Sequence, residues 1–515
     1  MDKLKYSLAD SPAITTAKFD IVNYCEGSCE YNMPDYYPPV RKIVNCTADA
    51  LPDTKFISGN TLEYGGTVAF TVMYIGEDGA LVSLPYATEY NASQSLPSEV
   101  RGTAEIAIDA KAEDIQCRVL APRKISLKSK IKTRISSEEK IPYRMQMLNC
   151  EEENVSSSER AAIQSLSHKI PVVSGARVVS TGKVTGEIRE KQGSKPVSCG
   201  GVVNITEVKC RRDTVIVKGE ACARCIVFTP DGYYAPARAR IPFEEVIVSD
   251  GANEGDLCRA WGRVASVSVS EGDGGVLNTE IEYDLDAQWC RKGEISVVED
   301  AYAAGCNSET ERTDINSHSL LCCTYSALSV AGSGKRTTKP EPNEYIVDMC
   351  CEATVEKVEQ KDEYLIFSGS CRIKAFIVSN GEVICEEILL PLKYETAAQS
   401  PLADGKIIVY ADIVCTDVNG RLEGDTVYAN AELCLSLYVK RECKIHPLSK
   451  IKLEALSDEG ACNPQIKILY GSGDNVLWDV SKKYRVAVGK LEEVNGLSRT
   501  DSVNGKTIII PIGID

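Results

Sequence analysis

The residues whose types and spacing suggest chemistry are few, and most fail to complete a site. Cys222-Ala-Arg-Cys225 has the interval of a redox dithiol or of half a zinc site. It lies in an apolar run, where a spacing of three sends the two side chains to opposite faces of a strand. No second Cys-x-x-Cys supplies further ligands, and the histidines are only His168, His318 and His446. The pair therefore reads as reduced thiols acting as small hydrophobes. Ala331-Gly332-Ser-Gly334-Lys335-Arg336 hints at a phosphate loop, but there is no glycine five residues before Gly334, and Arg336 replaces the required Ser or Thr. Glu271-Gly-Asp-Gly-Gly275 lacks the oxygen ligands of a calcium loop and reads as a hairpin turn. No Gly-x-Ser-x-Gly occurs, and Glu244-Glu245 and Glu386-Glu387 read as solvated faces. No catalytic residue, metal or cofactor is expected, so the chain reads as a non-enzyme.

Composition narrows the partners. The 515 residues suffice for three or four domains, and a 43% apolar content can fill ordinary cores. The net charge of -16 lies in the body, because the residues from Ala461 onward carry seven Lys or Arg against six Asp or Glu. An acidic body repels nucleic acid and anionic lipid. No run approaches the roughly 20 apolar residues of a membrane span, and Met1-Asp-Lys-Leu-Lys-Tyr-Ser-Leu-Ala-Asp has no signal-peptide core. A cytoplasmic location is expected, with the 22 cysteines kept as free thiols.

The elements that must position any site fall into two kinds. At the C-terminus the period switches from strand to helix and back, giving a βααβ unit over 464–515. Ile468-Leu-Tyr-Gly-Ser-Gly473-Asp474-Asn475 precedes a helix with Leu477, Val480 and Tyr484 on one face. Asp474 or Asn475 is placed to cap that helix, or to contact a ligand. Val488, Leu491 and Val494 mark a second helix ended by Gly496, and Gly505-Lys506-Thr-Ile508-Ile509-Ile510-Pro511 a closing strand. Trp478 reads as core rather than as a sugar platform.

The body repeats. A glycine-bearing strand, a turn, a second strand and a proline before a large apolar residue recur as Gly219, Asp231-Gly232 and Pro242-Phe243, and as Gly369, Asn380-Gly381 and Pro391-Leu392. A looser copy has Gly66, Asp78-Gly79 and Pro85-Tyr86, its second strand shortened. Cysteine-bearing strands open the units at Val40 to Cys46, Val203 to Cys210 and Ile346 to Cys350. Strands of period two close them, through Ile125 to Ile131, Ile281 to Trp289 and Leu433 to Val439. The expected fold is mostly β: three tandem antiparallel sandwich-like or barrel-like domains over 1–148, 149–300 and 301–458, then the small unit. Asn149 to Glu159 reads as a connector turning helical at Ala161 to Leu166, and Glu299 to Pro342 and Ala455 to Asn463 read as linkers.

The C-terminal segment resembles the LysM domain in all three of its blocks. With Met33-Pro-Asp-Tyr-Tyr-Pro-Pro-Val-Arg-Lys-Ile43 and Gly219 through Phe243, the whole chain resembles the SipL-type spore morphogenetic proteins, which are tandem SPOCS domains ending in one LysM domain. The resemblance implies a mother-cell scaffold that attaches coat layers at the forespore surface, its LysM domain binding the coat ATPase or another coat protein. Carried over by position, the binding loops are Gly473, Asp474 and Asn475, and Leu497, Ser498 and Arg499. The family runs from Gly-Asp-Thr straight to Leu-Trp, whereas Val476 intervenes here, an insertion expected to reshape the groove. The alternative is a wall-associated protein whose LysM domain binds the N-acetylglucosamine of peptidoglycan. A hydrolase assembled from residues distant in the chain is a third class.

Overall fold

The computed structural model describes residues 14–97, 105–141, 146–149, 163–398, 405–455 and 465–512. Its body is three units of one topology. The first comprises β1 (Ile14–Asn32), β2 (Val40–Ser58), β3 (Thr61–Gly76), β4 (Leu81–Ser95), β5 (Glu105–Ala121) and β6 (Lys124–Ile141). After the short β7 (Gln146–Asn149), the second comprises β8 (Ile163–Arg189), β9 (Lys195–Arg211), β10 (Thr214–Phe228), β11 (Tyr234–Val248), β12 (Leu257–Glu271) and β13 (Val276–Ala303). After β14 (Cys306–Arg312), the third comprises β15 (Ile315–Lys335), β16 (Tyr345–Lys361), β17 (Tyr364–Ser379), β18 (Glu382–Ala397), β19 (Ile407–Glu423) and β20 (Thr426–Ile445). In each unit the second, third and fourth strands form one antiparallel sheet, and the fifth, sixth and first form another. The segments after each unit, β7, β14 and β21 (Leu448–Ala455), gather into a small sheet of their own.

The period-two strands are the central strands β6, β13 and β20, which bury Ile125, Leu127 and Ile131, Ile281, Tyr283 and Leu285, and Leu433, Leu435 and Leu437. The cysteine-bearing strands do not open the units. β1, β8 and β15 come before them and pair with the closing strands, so β8 occupies 163–166 where a helix was expected. The local apolar pattern there fits either period, and pairing with β13 decides it. β15 likewise absorbs Ala331 to Lys335, so that stretch is sheet and not a phosphate loop.

One device recurs in every unit. Opposite Gly66, Gly219 and Gly369 the neighbouring strand carries a bulge, at Pro52/Thr54, beside Ile205 and at Val355/Lys357. The bulge pushes a carbonyl toward the glycine, and a Cβ there would lie 2.0 Å from Leu51 O, 2.3 Å from Asn204 O and 1.9 Å from Thr354 O. The register also corrects the first copy. Gly66 pairs with Tyr90, as Gly219 pairs with Phe243 and Gly369 with Leu392. Tyr90 is therefore the counterpart of Phe243 and Leu392, Glu89 replaces the proline, and no strand is shortened. Pro85 only mimicked the motif, since an edge strand tolerates proline at more than one position.

The units are not a string. β4 packs on β9, β11 on β16 and β18 on β2, while β1, β8 and β15 lie against one another, so each unit touches both others. The hairpin ends supply a shared apolar cluster of Met73, Ile75 and Leu81, Ile226 and Tyr234, and Val347, Phe376, Val378 and Val383. Within it the Leu81 amide donates to Tyr234 Oη at 2.9 Å, and Tyr345 Oη donates to Tyr234 O at 3.1 Å.

The second sheets meet through charge. Arg177 of β8 pairs with Asp286 of its own unit and reaches across to Asp109 of β5 at 2.7 Å. Arg259, 2% exposed, donates to Asp412 of β19 at 3.3 Å and stacks on Trp261, 4.2 Å from the ring centroid. Arg134 binds Asp20 at 2.6 Å, lies 4.0 Å from the centroid of Tyr410 and donates to Val409 O of the third unit. Burial pushes the Asp286 carboxyl up to about 6 against the pull of Arg177, and burial brings the Lys440 ammonium down to about 8.

Gly369→Ala is expected to destabilise the protein by about 1–3 kcal/mol, the usual cost of forcing an atom into a filled space, measured as a lower guanidinium midpoint. Arg259→Ala strands a buried pair and is expected to cost about 3 kcal/mol in the same measurement. That is the low end for such a pair, because Asp412 keeps some solvent. Arg421→Ala, at the exposed pair with Glu423, is expected to leave the guanidinium midpoint essentially unchanged.

Candidate partner-binding site

The C-terminal unit has β22 (Gln465–Tyr470) and β23 (Thr507–Ile512) paired antiparallel around α1 (Leu477–Tyr484) and α2 (Val488–Asn495). Leu477, Val480, Val486, Leu491, Val503, Ile508 and Ile510 fill its core, and Gly496 ends α2 with φ 63°.

The two candidate loops are brought together. The Val503 amide donates to Asn475 O at 3.1 Å, Leu477 N to Asp501 O at 3.1 Å and Trp478 N to Arg499 O at 2.9 Å. The second loop thereby satisfies donors at the start of α1 that a cap would otherwise take. Val476, not Asp474 or Asn475, is the capping position, and the Asp479 carboxylate accepts from its amide at 2.9 Å. Val476 displaces the earlier residues from the helix end, leaving Asp474 exposed and the Asn475 amide turned to Ser472 O. In the second loop the Ser498 amide donates to Asp501, and Arg499 pairs with Glu492 at 3.1 Å, which holds that carboxyl below the usual range. Gly473, Asp474, Asn475 and Ser498 are exposed, and Leu497 and Arg499 half-buried. The surface offers a carboxylate, an amide and a hydroxyl beside an apolar edge, all groups able to hydrogen-bond.

Trp478 is 2% exposed, yet it packs outside the unit's own core. Its ring meets Tyr302 of β13 edge-on at 5.0 Å, and its Nε1 donates to Asp300 at 2.9 Å. Lys482 Nζ binds the same carboxylate at 2.6 Å, Tyr302 Oη donates to Val486 O at 2.6 Å, and Gly305 N to Arg485 O at 3.1 Å. The seat is the far end of the long β8–β13 strand pair, where a bulge at Val298/Asp300 redirects the strand. Sequence reasoning missed it. Its one signal was a closing strand that runs well beyond its counterparts in the other units.

Elsewhere the paired glutamates divide. Glu244 pairs with Lys218 on the surface, but Glu386 is buried and accepts from the amides and hydroxyls of Thr337 and Thr338. Those four donors replace the water that a solvated face would have supplied, and they hold the carboxyl below its usual range despite burial. A groove on the first unit, lined by Lys55, Phe56, Glu63 and Tyr64, has its lysine committed to Ile106 O at 2.7 Å. Among the described residues no cluster of three or more His, Cys, Asp or Glu could hold a metal ion, and no helix is long and apolar enough to cross a membrane.

Asp300→Ala removes the acceptor shared by Trp478 and Lys482. It is expected to speed amide hydrogen exchange by about tenfold or more in both 298–305 and 478–488, read by mass spectrometry, while β3 and β17 stay protected.

No family model matches the chain, and neither a curated protein nor a solved structure matches it.

Proposed function

We propose that the chain is a non-enzymatic scaffold of the SipL type, in which three SPOCS-like units carry a LysM-like module that binds a coat-assembly ATPase or another coat protein at the forespore surface, in the mother-cell cytoplasm. The observation behind this reading is how the module sits. Trp478, Lys482 and Val486 face the β13 seat, while Gly473, Asp474, Asn475 and Ser498 stay exposed on the joined loops. A module anchored on one face and open on another can hold a partner at a fixed position relative to the body. The charged groups at the junctions between the units are paired, which fits a structural role for them.

The test uses the full chain. Immobilised protein is exposed in parallel to mother-cell lysate with purified coat ATPase and to purified peptidoglycan. The ATPase is expected to be retained and the glycan not. Ser498→Trp with Asp474→Arg is expected to weaken retention at least about tenfold, the worth of a single good contact near 1.4 kcal/mol, with an unchanged circular dichroism spectrum. Retention of glycan that the double variant abolishes would establish the wall-binding reading in place of this one.

A further inference from the structure

Each unit sets a cysteine on its second strand against a cysteine on its fifth. They are Cys46 of β2 with Cys117 of β5, Cys210 of β9 with Cys258 of β12, and Cys351 of β16 with Cys415 of β19. These strand pairs pack side by side but belong to different sheets, so no backbone ladder joins them. Each pair lies within or against its unit's hydrophobic core. The second unit adds Cys199 and Cys225, direct partners across β9 and β10 with their sulfurs 3.1 Å apart. Cysteines directly opposite on antiparallel strands fall within the Cα separation of about 4.4–6.8 Å that a disulfide spans. Cys290 of β13 and Cys323 of β15 form a further pair between units.

Access separates these pairs. Cys46, Cys117, Cys199, Cys258 and Cys351 are half-buried, so every within-unit pair has a partly exposed member, whereas Cys290 and Cys323 are both buried. Cys199 accepts a hydrogen bond from the Cys225 thiol, and the neighbouring thiol lowers Cys117, Cys199 and Cys258 alike. In the third unit Cys351 lies against both Cys371 of β17 and Cys415, whose thiols are lowered but buried, so access places the first exchange at Cys351 there.

We propose that Cys46–Cys117, Cys210–Cys258, Cys199–Cys225 and Cys351–Cys415 are sites of reversible disulfide formation by exchange with a small-molecule disulfide. The half-buried thiolate attacks one sulfur of that disulfide, breaking its S–S bond and releasing one small thiol. The partner thiolate then attacks the protein sulfur of the mixed disulfide and releases the second. Two protein thiols are oxidised to one disulfide, and one small disulfide is reduced to two thiols. Three of the links pin together the two sheets of a sandwich, and the Cys199–Cys225 link braces β9 against β10. This device does not depend on what the C-terminal module binds.

The test incubates the folded full chain with oxidised glutathione, alkylates the remaining thiols and maps linked peptides by mass spectrometry without reduction. The expected result is these four links, with Cys290 and Cys323 alkylated only after unfolding, and a raised guanidinium midpoint that dithiothreitol reverses. Cys117→Ser and Cys258→Ser are each expected to delete one link and leave the others. Full alkylation of the paired cysteines, or links to other partners or between chains, overturns the proposal. A Cys290–Cys323 link forming as fast as the rest overturns the assignment of exchange to the half-buried thiols.

Discussion

The arginines at the junctions between the units, Arg259 fully buried and Arg177 and Arg134 half-buried, are the constraint on which this architecture turns. Arg177 holds Asp286 and Asp109 at once, Arg259 crosses to Asp412, and Arg134 reaches the backbone of β19. Charges withdrawn from water are tolerated only when their partners are in place, and two of the partners here, Asp109 for Arg177 and Asp412 for Arg259, come from a different unit. A unit that drifted away would break one or both of these crossings. The apolar cluster at the hairpin ends drives association, and the salt bridges fix which units meet and at what angle.

This arrangement explains how one fold can repeat with little sequence likeness. β6, β13 and β20 place Arg134, Asp286 and Ser436 at corresponding positions, beside Asp109, Trp261 and Asp412 of the adjacent strands. The backbone geometry is shared while the side chains differ, so each junction has its own set of partners. What the units keep in common is steric, as in the glycine that yields to a bulged carbonyl.

The alternation of the closing strands, the turn glycines and the βααβ order at the C-terminus were all legible in the residues, because local periods and positive φ leave direct marks. The opening strands β1, β8 and β15 were not, since their pairing is with residues 87 to 140 positions away. The closure of the trio and the seat of Trp478 were likewise hidden. Both depend on contacts between units, and a buried indole looks the same in sequence whether it fills its own core or a neighbour's. The loops around Asp474 and Ser498 do lie together, but the capping role expected of Asp474 or Asn475 passed to Asp479 and the second loop once Val476 intervened. The thiol pairs could be found only with coordinates, because Cys199–Cys225 depends on the exact register of β9 on β10 and the others join strands that are not neighbours in sequence.

Three units so alike could be expected to offer three equivalent landing places, yet among the described residues only the second has a closing strand, β13, long enough to carry a seat such as Asp300 and Tyr302. The resemblance among the units is thus broken at one point. A body with near-equivalent faces gains a single pole, and the appended module is carried once per chain and in one orientation.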